Sequence, residues 1–346
     1  MNPYDPCVAN KMINNKQHTV IWHVDDLKIS HIDSRVNNEF IKWIDEKYGD
    51  DEIGRVKANR GVKHDYIGMI LDYSKPGEVT IDMKYYVENM IKQYKHPILK
   101  EYKTPASENL FKINTKSPKL SKELAEEFHT TVARGLFISK RARPDIQPTI
   151  AYLCTRVKAP TSDDWNKLAR LMSYLKSTKD DTLTLVADGN NEVKWWINAA
   201  FAVHPDMRSH TGAVMTMGKG SIQSISTKQK VNTRSSTEAE LVATDDVAAQ
   251  VIWTKNFLEA QGINISNNIV YQDNQSAILL EKNGRASAGK RSRHLDIRYF
   301  FITDQIRGNM NVKYCPTDVM TADYMTKPLH GKKFLKFKKE IMNLHV

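Results

Sequence analysis

Two aspartates, Asp25 and Asp26, stand side by side in HTVIWHVDDLKIS, with an apolar run on each side. Adjacent carboxylates repel, and two explanations account for the pair. Asp suits tight turns and hydrogen-bonds its own main chain, so a hairpin with strands over residues 19–23 and 27–30 needs nothing more. A hairpin tip whose strands bury Val20, Trp22, Leu27 and Ile29 also offers hard oxygen ligands for magnesium.

Three further carboxylates fall at element ends. Asp273 closes the apolar run NIVYQD, Glu240 lies in the first turns of SSTEAELVATDD, and Asp323 opens the helix of TADYMTKPL. Singly, each is an ordinary helix residue, turn or cap. Jointly, from a strand end and two helix starts, they can hold two divalent cations (Mg2+ or Mn2+) that activate a water and steady a leaving oxygen. Such a cluster suits phosphodiester hydrolysis.

Basic residues gather in two places. Arg134, Lys140, Arg141 and Arg143 lie close together, which fits a solvated helix end or a nucleic-acid contact. Arg291, Arg293, His294 and Arg298 stand beside Tyr299, Phe300 and Phe301, a mixture that can grip a phosphate backbone. The alternative places Ile297, Phe300, Phe301 and Ile302 in the core and leaves the basic residues merely exposed, and a helix with two faces satisfies both. The net charge of +11 favours a polyanionic partner.

The elements that must position these residues alternate in type. DSRVNNEFIKWIDEKYG has helical spacing, with Asp33 or Ser34 as its cap, and HDYIGMILDYSKPGEVTIDM reads as two strands around a Lys-Pro-Gly turn before a helix over residues 84–94. Residues 100–118 lose periodicity, and helices resume with Ser121 and Ser162 as caps. After residue 180, TLTLVAD, EVKWWINAAFAV, TGAVMTMG and SIQSISTKQ form a meander. A long helix follows over residues 236–261, then strand, helices, strand and a last helix from about Val319. The class is α+β or mixed α/β.

At 346 residues the chain is long enough for two domains, and 40% hydrophobic with 26% charged residues describes a globular protein. No apolar run approaches bilayer length and the first residues lack a secretory pattern, so no membrane partner is expected and the place is intracellular, cytoplasm or nucleus. Three scattered cysteines suit neither a disulfide framework nor a zinc cluster. Nothing in the pattern specifies an oligomeric state.

The motifs TRSSTEAELVA, YQDNQSAI, RSRHLDIRYFFI and TADYMTKPL, in that order, resemble the RNase H domain of copia-type retrotransposon polyproteins. WHVDD, YIGM, FHTTVARGLFISKRARPDI and LARLMSYLKST resemble the preceding part of the same polyprotein, the later palm of its reverse transcriptase and the connection beyond. The resemblance implies a partial reverse transcriptase palm over residues 1–100, a helical connection over 101–180 and an RNase H-like domain over 181–346 with a basic tail. Asp25 and Asp26 then stand in a Tyr-x-Asp-Asp turn that holds the magnesium ions of nucleotide addition, with His23 in place of the tyrosine. The implied partners are an RNA/DNA hybrid or other nucleic-acid duplex and an upstream polymerase segment bearing a further palm aspartate.

One departure bears on chemistry. The RNase H family carries an aspartate on its first strand, and in WWINAAFAVHPDMRSHTG Asn198 takes its place. Asp206 lies beyond a proline turn and does not substitute. An amide brings an oxygen but no charge, so divalent-metal affinity should fall and RNA cleavage is expected to be impaired, while nucleotide addition is expected to be impaired because the palm is incomplete. The rival expectations are a non-catalytic nucleic-acid-binding remnant, and a free-standing magnesium hydrolase in which Asp25 and Asp26 form only a turn.

Overall fold

Alternating apolar residues set up the first sheet in the computed structural model, which describes residues 1–344 apart from 51, 53, 99 and 284–295. Strands β1 (Val8–Ile13), β2 (Lys16–His23) and β3 (Asp26–Ser30) pair antiparallel in that order. Helix α1 (Ser34–Tyr48) begins at Asp33, whose carboxylate accepts the Arg35 N–H at 2.9 Å. This unit is thinly cored: Val20 is buried, but Leu27, expected inside, is 46% exposed and lines open clefts with α1 on one side and residues 55–66 on the other.

A second sheet starts with β4 (Lys63–Tyr66), β5 (Met69–Asp72) and β6 (Glu78–Asp82). Helices α2 (Lys84–Gln93), α3 (Lys122–Ser139), α4 (Gln147–Cys154) and α5 (Ser162–Ser177) follow. Ser121 caps α3 as expected, whereas Thr161 rather than Ser162 caps α5, because its hydroxyl and the Asp164 carboxylate satisfy each other's backbone N–H groups. The chain then returns to this sheet. Strand β7 (Leu183–Ala187), expected in the following meander, instead pairs antiparallel with β6.

The third sheet holds β8 (Glu192–Ala200) and β9 (His210–Thr216); the short β10 (Gly218–Lys219) leaves to pair with β7, and β11 (Gln223–Lys228) returns to β9. Beyond it come α6 (Ser236–Ala260), β12 (Asn267–Gln272), α7 (Gln275–Asn283), α8 (Asp296–Gly308) and β13 (Asn311–Tyr314). The order is β11-β9-β8-β12-β13, antiparallel through β8 and parallel from β8 to β13. The expected single last helix is broken into α9 (Asp323–Thr326) and α10 (Gly331–Met342), because Lys327 precedes a proline and is driven into an extended conformation.

Two cores straddle this sheet. Val193, Trp195 and Ile197 pack on α6 and α8, while α2–α5, α9 and α10 share the larger core on the other side. The architecture is mixed α/β. Among the described residues, no helix is long and apolar enough to cross a membrane.

One member of the basic cluster near α3 turns inward. Arg143, expected as a nucleic-acid contact, is 1% exposed and pairs with the fully buried Asp145: Nε and Nη2 donate to the two carboxylate oxygens at 2.9 and 2.8 Å. Lys140 Nζ donates to the Ser224 carbonyl at 3.2 Å, and the Arg141 guanidinium lies 3.7 Å from the Phe137 ring centroid. Arg134 remains half-buried on α3.

Candidate functional site

Side chains alternate along β8, so if Trp195 and Ile197 face α6, Asn198 faces α9. There its Nδ2 donates to Asp323 Oδ1 at 2.6 Å, with both side chains buried. The approach needs Gly212, which pairs with Asn198 across β9: a Cβ there would lie 2.6 Å from Thr326 Cγ2 and 2.9 Å from the Ala322 carbonyl oxygen. Asp323 also accepts from Lys333 Nζ at 2.5 Å and pairs with Lys327 Nζ at 3.0 Å.

The next backbone group extends the contact to α6. The Ala199 N–H donates to Asn198 Oδ1 at 2.8 Å, and the Glu240 carboxyl lies near the same N–H. Gln272 Nε2 reaches Glu240 Oε2 at 3.4 Å, while Gln272 Oε1 accepts the Asp273 N–H at 2.9 Å. Asp273 in turn accepts from the Thr317 hydroxyl at 2.9 Å. Asp323, Asn198, Glu240 and Asp273 therefore lie along one row, drawn from α9, β8, α6 and the end of β12, bonded from Asp323 to Asn198 and from Glu240 through Gln272 to Asp273.

Electrostatics differ along the row. Burial, then the Asp273 charge, pushes the Glu240 carboxyl well above the usual range, against the pull of the Ala199 N–H and the Gln272 amide. One turn on, Thr244 Oγ donates to Glu281 Oε1 at 2.7 Å, and burial pushes Glu281 up to about 7. At the other end Asp323 already meets two ammonium groups. An oxygen-ligated dication at the row would take its protein ligands from Glu240 and Asp273 and complete its shell with water. Asp323 does not fit a second while both lysines hold it, and among the described residues no three His, Cys, Asp or Glu side chains converge on a metal position.

Asp25 and Asp26 belong to the first sheet. Both are exposed, at a two-residue turn whose Val24 has φ 53°, a left-handed conformation that strains a β-branched residue. They line a cleft with Arg55, Lys57 and Tyr66, and burial, then the Asp26 charge, raises the Tyr66 hydroxyl. Arg291, Arg293 and His294 lie outside the described residues, as does the side chain of Arg298.

Sequence reasoning missed four features. Gln272, Lys327 and Lys333 belong to the row, and the first two sit next to or within quoted motifs. The fourth is a buried relay under α9. Ser226 Oγ donates to the Met325 carbonyl at 2.7 Å and so accepts from His210 Nε2 at 2.8 Å; His210 Nδ1 then accepts from His204 Nε2 at 3.0 Å. Each histidine has one defined neutral tautomer. Burial, reinforced by Lys228, lowers His204 to about 4, and burial with the His204 contact lowers His210 to about 3.

No protein-family model matches the chain. Among curated proteins it is 26% identical over 349 residues to the retrovirus-related Pol polyprotein from transposon TNT 1-94 of Nicotiana tabacum, covering 99% of this chain and 26% of that protein. Over 202 residues it is 31% identical to the corresponding polyprotein of transposon RE2 from Arabidopsis thaliana, 58% of this chain and 14% of that one. The Ty1-NL2 Gag-Pol polyprotein of Saccharomyces cerevisiae is 22% identical over 335 residues, 93% of this chain and 19% of the relative. The chain thus spans about a quarter or less of these relatives' length. Its curated homologues are copia-type retrotransposon Pol polyproteins.

Proposed function

We propose that the chain is a retrotransposon Pol segment whose last sheet is RNase H-like and holds an RNA/DNA hybrid, with cleavage of the RNA strand weakened by Asn198. The observation that carries this reading is the row from Asp323 through Asn198 and Glu240 to Asp273, set on a five-stranded sheet of order β11-β9-β8-β12-β13. A divalent cation bound there supplies an activated water and charge for the leaving oxygen. Glu240 and Asp273 are the residues that would hold it. Gln272 fixes their spacing, and Asn198 contributes an amide where a third charge is wanted. The Asp25–Asp26 turn fits the end of a reverse transcriptase palm that acts with an upstream segment.

The lysines on Asp323 favour a second reading, hybrid binding without turnover. One assay separates the two. With magnesium and a labelled RNA/DNA hybrid, the native chain is expected to cleave weakly or not at all. Asn198→Asp should gain cleavage, and Asn198→Asp combined with Asp273→Asn should lose it again. Without metal, Asn198→Asp sets two carboxylates about 2.6 Å apart, so it should melt below the native chain and be restored by magnesium. Full cleavage by the native chain, or none by a folded, hybrid-binding Asn198→Asp, overturns this assignment of the row.

Binding should depend steeply on salt, because the chain carries +11 charges. For several phosphate contacts, affinity should drop on the order of a hundredfold between low and physiological salt. A flat titration removes nucleic acid as the partner.

A further inference from the structure

A groove of about 490 Å³ runs between the β8–β9 face and α10. Its floor is the half-buried Trp196 with Val214 and Thr216, and α10 forms one wall. The indole is held in place: the Tyr271 ring stacks on it at 5.1 Å and 25°, and Cys315 packs against the same pair. Lys219, Lys336 and Lys339 edge the groove, against the single carboxylate of Glu340. Lys336 Nζ donates to a neutral group, the Asp318 carbonyl at 2.6 Å, and its charge also faces the Glu340 carboxylate, which leaves the three lysines in excess of the one acid.

The groove continues from the row. Trp196 lies two residues before Asn198 on the same face of β8. Lys333, which ends on Asp323, is followed at helical spacing by Lys336 and Lys339 along one side of α10. Lys333 to Lys339 spans about 9 Å at 1.5 Å per residue. An aromatic floor edged by ammonium groups matches a base face flanked by phosphates. A paired base keeps its faces inside the helix, so only an unpaired strand can use the floor.

We propose that this groove binds the single-stranded continuation of a nucleic acid whose duplex part lies at the carboxylate row. The proposal rests on the nucleic-acid reading above, and its test separates the two. Binding is measured by fluorescence anisotropy at fixed salt, using a blunt RNA/DNA hybrid and the same hybrid with a three-nucleotide single-stranded extension of either polarity.

The extension should tighten binding to the native chain roughly tenfold, within what one base–aromatic stack supplies. Trp196→Ala should abolish that gain and Trp196→Phe should keep most of it, with the blunt hybrid bound as before. Since Trp196 also packs on Tyr271, the exposed pair Lys336→Gln/Lys339→Gln is measured alongside and should lose at least half of the gain. Equal native binding of extended and blunt hybrids overturns the groove and leaves the hybrid reading standing, as does a gain that survives in the lysine variant. Failure of the native chain to bind either hybrid removes both.

Discussion

Asp145→Asn is expected to cost the fold about 3–5 kcal/mol, the range for stripping one partner from a buried ion pair. The asparagine has nearly the same shape, so the loss is electrostatic. Arg143 is 1% exposed; besides Asp145 its guanidinium donates to the Thr178 carbonyl and hydroxyl, at 2.9 and 2.8 Å, and the more distant Asp181 carboxylate would offset only part of its charge. Its guanidinium cannot shed a proton, so a charge compensated only in part would stay inside. Burial by itself would raise the Asp145 carboxyl, but the Arg143 charge and hydrogen bonds outweigh it and hold the group below its usual value. Tyr174 adds a donor at 2.7 Å, and Tyr324 reaches the Asp145 carbonyl at 3.0 Å, so the pair ties the α3–α4 junction to α5 and α9. Replacing both members, Arg143→Met with Asp145→Leu, should recover much of the loss. Urea denaturation of the two variants beside the native chain decides: an Asp145→Asn chain within about 1 kcal/mol of native means that the pair does not hold these helices together.

Acid should act on the histidine relay, which gives the second large effect. His204 and His210 sit near 4 and 3 in the fold and near 6.5 when unfolded. Their folded values are lowered, so the stability they confer is complete above about 6.5 and is lost as pH falls toward 4. In that window the unfolded chain takes up two protons that the folded one refuses, which amounts to about 4 kcal/mol at pH 5. Lys228 opposes protonation of both rings and Asp206 favours it at His204. Glu281 works the other way, since burial raises it to about 7 and the fold gains from acid there. The diagnostic quantity is therefore the difference between native and His204→Gln/His210→Gln chains, each unfolded at pH 7.5 and at pH 5. The native chain should lose several kcal/mol more than the double variant. Parallel losses would show that the imidazoles are not held neutral.

Local pattern located most elements because local physics decides them. Helix α6 was expected over residues 236–261 and runs Ser236–Ala260, since Ser235 caps it and its apolar residues continue without a breaker. Which partner an element chooses is a different matter. The alternation in TLTLVA fits a strand in either sheet, and only the approach of β6 from a hundred residues upstream decides between them. In the same way, the basic residues of SKRARPDI look exposed until Asp145, two positions beyond Arg143, closes on it. Asp323 was legible as a helix start, but its carboxylate serves Asn198 and two lysines rather than its own helix. The His204–His210–Ser226 relay joins three segments and left no local mark.

The return of β7 to β6 also governs how a gene of this kind can be shortened. Residues 183–187 lie next to the last sheet in the reading frame, yet their hydrogen bonds go to residues 78–82 on one side and to 218–219 on the other. A deletion that begins upstream and ends between codons 82 and 183 keeps β7 while discarding β6. It bares a strand edge of the sort that recruits other chains into aggregates. The safe limit for such erosion lies ahead of the second sheet, and what must be inherited together reaches well upstream of the carboxylate row.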